Sequence, residues 1–155
     1  KDHGLKPFGI RAMESLRTEK TYKLVGTEMS IEYAAFESGL DRFIHLNKGN
    51  FIGRDSLVKW QQKGFKNKMV TLEVHDIVDA DALGNNPIYN NGEVIGRATG
   101  GNYGFRVKKS LAIAMVDPKF SNIGQKLEMD ILDKKHNVTV IEDSPYDPLN
   151  EKLKQ

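Results

Sequence analysis

The spacing of apolar residues divides the chain into a front part with helical periodicity and a longer part with strand periodicity. Ile10, Met13 and Leu16 recur at the spacing of one helical face, so residues 9–20 are predicted to form an amphipathic helix that docks by this apolar stripe. Asp55 and Ser56 suit the start of a second helix over residues 56–63. In that helix Leu57 and Trp60 are expected to face inward, and Gly64 to end it.

From Lys68 onward the apolar period becomes two. Residues 68–74 predict a strand with Val70, Leu72 and Val74 on its buried face. Asn91-Gly92 predicts a hairpin turn, because this pair tolerates positive φ. Further strands are expected at residues 111–116, 127–132 and 138–141, with a polar turn over 133–137. Short strands at this spacing indicate a small antiparallel β-barrel.

The predicted fold class is therefore α+β, a helical segment followed by a barrel. We place the division near residues 64–67, so that residues 1–64 form the end of one domain and residues 65–155 form the barrel domain. The chain opens on Lys1 and enters a helical pattern within ten residues, so we expect it to be a piece of a longer polypeptide.

The amino-acid composition excludes several classes of protein and of functional site. Hydrophobic residues make up 39% of the chain and charged residues 28%, which is the balance of a globular protein with a packed core. The net charge of +2 gives no strong field for nucleic acid or an anionic membrane. The absence of cysteine removes disulfides and thiolate chemistry, and fits a cytosolic or matrix-like compartment; our prediction is cytoplasmic. No apolar run approaches the ~20 residues of a membrane-spanning helix.

Several candidate sites are better explained by structure. The glycines of residues 96–104 lack the Gly-Lys-Ser/Thr ending of a phosphate-binding loop, so we interpret them as points of close strand approach. The four histidines have no metal-ligand spacing, and no serine lies in a Gly-x-Ser-x-Gly elbow. Trp60 and Tyr103 could stack on a planar ligand, although core packing is the better interpretation for Trp60. Arg11, Glu14 and Arg17 predict either an exposed face with i,i+3 pairing or a rim that holds an anionic ligand.

Ordered motifs carry a resemblance along nearly all of the chain. GIRAMESLRTEK, YKLVGTEM, KGNFIGRDSL, NPIYNNGEVIGRATGGNYG and SPYDPLN together resemble the C-terminal part of the folate-dependent aminomethyltransferase family, the glycine-cleavage T-protein fold. Within it, the pattern is most similar to the C-terminal region of dimethylglycine and sarcosine dehydrogenases. The resemblance implies a three-domain parent that binds tetrahydrofolate, with FAD possible in a separate N-terminal domain. It also implies that this fragment alone is inactive, because the family's catalytic aspartate is expected before Lys1.

The resemblance also indicates which residues to inspect for folate binding: Arg11, Met13, Glu28 and Glu37. Glycine-cleavage members carry a folate-holding arginine where this chain has Met13, and the dehydrogenase-like branch tends to lack it. Arg11 is a possible substitute on a different helix face. Glu28 and Glu37 match acidic positions expected to shape the cavity floor. No metal site is expected, and the implied partners are folate and the other domains of the parent chain, not nucleic acid or a membrane.

Two alternatives remain open at this point. The chain could come from the T-protein itself or from another folate-dependent demethylase of the same fold. It could also be a non-catalytic binding or structural module, since small antiparallel barrels serve many functions.

Overall fold

The computed structural model describes residues 2–77 and 79–155, which form two α-helices and six β-strands. The elements are α1 (Ile10–Glu19), α2 (Arg54–Lys63), β1 (Lys68–Val74), β2 (Pro87–Asn90), β3 (Glu93–Gly104), β4 (Lys109–Val116), β5 (Lys126–Ile131) and β6 (Lys134–Ile141). Two short 3₁₀ turns lie at Asp41–Phe43 and Pro118–Phe120.

The strands close into an antiparallel barrel in the order β1, β4, β3, β2, β5, β6. Closure removes free strand edges, which would otherwise offer unpaired backbone groups to other chains. The barrel interior is filled by aliphatic side chains and Met129, which explains the period-two pattern of the sequence. Its buried members are Val70, Leu72, Val74, Ala82, Ile88, Ala98, Ala112, Ala114, Val116, Leu127, Met129, Ile131, Val138 and Val140.

Strand β1 is buried on both sides, whereas the sequence predicted one buried face. Val70, Leu72 and Val74 point into the barrel as expected. On its other side, Met69 packs with Ile113, Met115 and Tyr33 in a second cluster. Thr71 is also buried and shares a hydrogen bond with Thr21 at 3.0 Å. The outer face of β1 and β4 is therefore covered by the segment that follows α1.

The glycines of β3 allow close strand approach, as predicted. A Cβ at Gly96 would lie 2.3 Å from the carbonyl oxygen of Met115, and one at Gly101 would lie 2.6 Å from that of Leu111. The register between β3 and β4 shifts between Ala98 and Gly100, so Thr99 occupies a β-bulge. The bulge directs the Thr99 hydroxyl to the carboxylate of Glu28.

The structure confirms the predicted turn between β2 and β3, but the turn between β5 and β6 differs from its predicted length. Asn91 and Gly92 both have positive φ, 50° and 85°, which confirms the hairpin between β2 and β3. The turn between β5 and β6 is shorter than expected: only Leu132 and Asp133 lie outside the strands, with φ of 50° and 60°. Residues 134–137 belong to β6, where they pair with residues 128–131 of β5.

Helix α1 forms where expected but docks by the opposite face. The residues it buries are Ser15, Thr18 and Glu19. Ser15 donates a hydrogen bond to the carbonyl of Tyr103 at 2.6 Å, and Thr18 accepts one from the side-chain amide of Asn102 at 3.3 Å. Within the described residues, the prediction that α1 docks by Ile10, Met13 and Leu16 is wrong, because polar groups at the end of β3 fix the helix instead.

Helix α2 begins earlier than predicted and packs loosely. It starts at Arg54 after Gly53, whose φ of 89° makes the turn, and neither Asp55 nor Ser56 caps it. Trp60 is 48% exposed, so its predicted burial is wrong, while Leu57 is half-buried. Gly64 ends the helix at φ 83°, as expected.

Candidate functional site

The outward face of α1 forms one wall of an open, largely apolar cavity. Ile10, Met13 and Leu16 are 68%, 41% and 49% exposed. The cavity has a volume of about 610 Å³. Its lining combines apolar side chains with a charged rim: Met13, Leu16, Tyr22, Leu24, Tyr146 and Leu153 with Arg17, Glu19, Lys20, Arg106, Asp147 and Lys152. We call this the α1 cavity. An apolar wall beside cations suits a planar ligand that carries a negative charge.

Arg17 lines the α1 cavity and is held by several internal contacts. Its guanidinium lies 2.8 Å from the Glu14 carboxylate and 3.5 Å from that of Glu28, and it donates a hydrogen bond to the Tyr22 carbonyl at 2.8 Å. The predicted i,i+3 pair between Glu14 and Arg17 is therefore present, but Arg17 is mostly buried, not part of an exposed face. Its donors hold the chain that leaves α1.

Glu28 is fully buried and its carboxylate is fully engaged. One oxygen accepts hydrogen bonds from the Leu24 N–H and the Thr27 hydroxyl, both at 2.8 Å, and the other accepts from Thr99. Burial opposes the charge, but the hydrogen bonds from Thr99, Leu24 and Thr27, with the charge of Arg17, outweigh it and lower the pKa of Glu28. The buried anion thus joins the β3 bulge to the end of α1.

Glu37 has a comparable role on the other side of the segment. One carboxylate oxygen accepts from the Ala34 N–H at 2.8 Å, and the other from the N–H groups of Lys66 and Asn67 at 3.0 and 2.8 Å. These bonds fix the connection between α2 and β1. A carboxylate so used has little capacity left for a ligand.

Arg11 and Met13 lie on different sides of α1. Met13 lines the α1 cavity. Arg11 is largely exposed, pairs with Asp81 at 3.4 Å and lines a second cavity of about 780 Å³ beside Tyr103 and Phe105. The structure therefore does not bring the four candidate residues to one site. Glu28 reaches the α1 cavity only through Arg17, and Glu37 does not reach it.

Sequence reasoning missed the role of Glu19. It is buried, and its carboxylate accepts hydrogen bonds from the backbone N–H groups of Arg106 and Val107 at 2.7 and 3.3 Å. Its carbonyl accepts from the Tyr146 N–H at 3.0 Å. A glutamate at the end of a helix is typical of an exposed position, so the apolar periodicity did not indicate that Glu19 is buried.

The C-terminal segment completes the cavity rim. The Tyr146 hydroxyl accepts a hydrogen bond from Arg106 at 2.6 Å, and the Lys20 ammonium donates to the Asp147 carbonyl at 2.7 Å. The SPYDPLN motif, which contributed to the family resemblance, thus packs against the end of α1. The sequence alone linked this motif to the family but did not predict that it packs against α1.

No cluster of three histidine or acidic side chains among residues 2–77 and 79–155 is placed to hold a metal ion. Over the same residues no helix has the length and apolar character required to cross a bilayer.

Comparison with known proteins gives two family-model matches. The model described as the glycine cleavage T-protein C-terminal barrel domain matches residues 67–147. The model described as the GCVT N-terminal domain matches residues 1–48.

Curated relatives are similar along most of the chain. The mitochondrial dimethylglycine dehydrogenase of Homo sapiens is 37% identical over 143 residues, covering 92% of this chain. The aminomethyltransferase of Caldanaerobacter subterraneus subsp. tengcongensis is 33% identical over 146 residues, covering 94%. The chain spans only 16% of the length of the first protein and 38% of the second.

A solved structure confirms the predicted fold class. The glycine cleavage system aminomethyltransferase T from Bartonella henselae superposes with a TM-score of 0.84 over 95% of this chain, at 21% sequence identity. The match covers 41% of the Bartonella chain. Helical segment and barrel therefore occur together in a larger protein.

Proposed function

This chain belongs to the glycine cleavage T-protein family, and from that premise we propose that it serves as the C-terminal part of a tetrahydrofolate-dependent one-carbon transfer enzyme. Among the family's members, a demethylating dehydrogenase of the dimethylglycine type is the best candidate for the parent. The similarity to human dimethylglycine dehydrogenase and the presence of Met13 both support this choice.

The observation that carries the proposal is the orientation of α1. The helix is fixed to the barrel by Ser15, Thr18 and Glu19, and it turns Ile10, Met13 and Leu16 away from it. Leaving an apolar helix face in water is unfavourable unless another surface or ligand covers it. In the proposed assembly the other domains close over this face, and the folate ring system lies against it.

Each candidate residue then has a specific role. Met13 contacts the ligand through its thioether side chain, and Arg17, whose charge is balanced by Glu14 and Glu28, shapes the edge of the α1 cavity. Glu28 holds Arg17 and the β3 bulge in place, so it acts as a positioning residue. Glu37 fixes the connection into β1, and Arg11 lines a different cavity on another side of α1.

The same proposal assigns a role to each of the two parts of the chain. Residues 1–64 are proposed to complete a folate-binding domain, and residues 65–155 to form the barrel domain that supports it. Tetrahydrofolate would bind between this chain and the rest of the parent. Proton transfer and any flavin chemistry are assigned to residues outside this chain. A cytoplasmic location remains part of the proposal, although the dehydrogenase relatives are named as mitochondrial.

The gene itself provides the first test. The reading frame upstream of Lys1 is expected to encode the remainder of the folate-binding domain, and an N-terminal flavin-binding domain if the parent is a dehydrogenase. A start codon immediately before Lys1 would overturn the proposal. An upstream region without a flavin-binding domain would instead favour an aminomethyltransferase parent.

Ligand binding by the full polypeptide provides the second test. Met13→Glu places a carboxylate on the proposed folate wall and is expected to weaken tetrahydrofolate binding at least tenfold, measured by calorimetry. Val94→Glu, at an exposed barrel position outside the α1 cavity, is the control and should leave binding unchanged. Unchanged affinity in Met13→Glu would remove α1 from the ligand site.

A further inference from the structure

A third cavity, which borders the α1 cavity at Lys20, Tyr22 and Leu153, is lined by three cationic side chains and one carboxylate. Its volume is about 530 Å³. The charged lining residues are Lys20, Lys23, Arg42 and Asp143, so the formal charge of the lining is positive. We call this the basic cavity.

In the part of the chain that the structure describes, the cations of the basic cavity form no salt bridge. Within residues 2–77 and 79–155, no carboxylate oxygen lies within 4.0 Å of a charged nitrogen of Lys20, Lys23 or Arg42. The Lys20 ammonium donates instead to the backbone carbonyl of Asp147 and to the side-chain amide oxygen of Asn150, both at 2.7 Å. Asp143 accepts a hydrogen bond from the Thr71 hydroxyl at 2.7 Å.

Lys23 is the central group of this cavity. Its side chain is half-buried, and in the described part of the chain its ammonium makes no hydrogen bond. Its stem passes Gly39, where a Cβ would lie 3.7 Å from the Lys23 Cε. Burial, and to a smaller extent Arg42, lowers the pKa of Lys23, although the charges of Asp143, Glu28 and Asp41 oppose this effect. A half-buried ammonium without an acceptor is a group that an anion would stabilise.

Arg42 is positioned to complete such a site. Its guanidinium carbon lies 4.6 Å from the centroid of the Phe43 ring, which orients the side chain at the cavity edge. A guanidinium can bind a carboxylate or phosphate through two parallel hydrogen bonds, while a lysine acts as a point charge. Together the two side chains offer complementary donors on one cavity.

We infer that the basic cavity binds a small free anion with at least two negative charges, through Lys23 and Arg42. A carboxylate-rich anion and phosphate share the required chemistry. This inference does not rest on the proposed function, because Lys23 and Arg42 do not line the α1 cavity and the binding of an anion here requires no folate. A cluster of solvated lysines that is not a binding site would bind anions of different charge with similar affinity. Its anion affinity would also not depend on Lys23.

Calorimetric titration of the 155-residue chain at low salt tests the inference. Citrate is expected to bind saturably, phosphate to compete with it more weakly, and acetate, with one charge, to show no saturation up to roughly 10 mM. Lys23→Met keeps the apolar stem that packs near Gly39 and removes the charge, so citrate affinity should fall by about tenfold to a hundredfold. Arg42→Gln, at an exposed position, is expected to weaken binding by about threefold to tenfold.

Lys59→Gln is the matched control, because Lys59 is an exposed lysine of α2 and does not line the cavity. It should bind citrate like the unmodified chain. The absence of saturable citrate binding, or an equal loss in Lys59→Gln and Lys23→Met, would overturn the inference. If Lys23→Met does not fold, the citrate affinity of Arg42→Gln tests the inference instead. Unchanged citrate affinity in Arg42→Gln would overturn it.

Discussion

The buried carboxylate of Glu19 accepts a hydrogen bond from the backbone N–H of Arg106 at 2.7 Å. This contact joins the last turn of α1 to the loop between β3 and β4. Because α1 turns its apolar face away from the barrel, polar contacts of this kind hold the helix in place.

Glu19→Ala is therefore expected to lower the free energy of unfolding by about 1–3 kcal/mol, since two part-buried N–H groups would lose their acceptor. Urea denaturation followed by circular dichroism measures the change. Glu93→Ala, which removes an exposed glutamate near the β2–β3 turn, serves as the control and should stay within about 0.5 kcal/mol of the parent chain. Equal stability of the two variants would show that the Glu19 contact does not hold α1.

Adjacent glycines of β3 give a sharper test of strand packing. A methyl group at Gly101 would meet the Leu111 carbonyl at 2.6 Å and the Ala82 Cβ at 2.9 Å, whereas one at Gly100 would meet nothing within 4 Å. Gly101→Ala should cost about 1–3 kcal/mol or more, and Gly100→Ala much less. Thermal unfolding of both variants checks this. A larger loss in Gly100→Ala would contradict the register of β3 against β4.

The sequence could predict the barrel because each strand carries its own signal. Val70, Leu72 and Val74 alternate with the strand period, and Asn91-Gly92 supplies the backbone conformation of its turn. The docking of α1 could not be predicted in the same way. Its contacts run from Ser15 and Glu19 to backbone groups distant in sequence, which no local pattern encodes. An apolar stripe shows that a helix has a covered face, but not which part of the protein covers it.

The candidate site illustrates the same limit. The family resemblance drew attention to Glu28 and Glu37, but both carboxylates are occupied by internal hydrogen bonds. Sequence alone cannot separate a ligand-binding carboxylate from one that fixes a loop, because both occur as acidic residues beside glycines.

Acid titration should reveal the buried Glu28. Its pKa is lowered from 4.5 in the folded chain, so the unfolded chain binds the proton more readily. The associated stability is present above the unfolded pKa and is lost as pH falls through the folded pKa. The free energy of unfolding is expected to fall more steeply with acidification below about pH 5 in the parent chain than in Glu28→Gln. Parallel curves for the two proteins would contradict a lowered pKa at Glu28.

The exposed face of α1 predicts an asymmetry in mutational cost. Leu16 is half-exposed, whereas Leu72 is fully buried in the barrel. In the 155-residue chain, Leu16→Ala should change stability by no more than about 1 kcal/mol, while Leu72→Ala should cost about 2–5 kcal/mol. Chemical denaturation measures both. A large cost at Leu16 would mean that α1 docks by its apolar face after all.

Tetrahydrofolate binding by the chain alone is the most direct measure of how much of the ligand site it contains. The α1 cavity is open on the side that faces away from the barrel, with Met13 and Leu16 exposed along it. A ligand bound there would leave much of its surface in water and its polar groups without partners, so little binding energy is available. We therefore expect weak binding or none by calorimetry, and much tighter binding by the full polypeptide. Micromolar affinity of residues 1–155 alone would mean that this chain supplies the folate site without further domains.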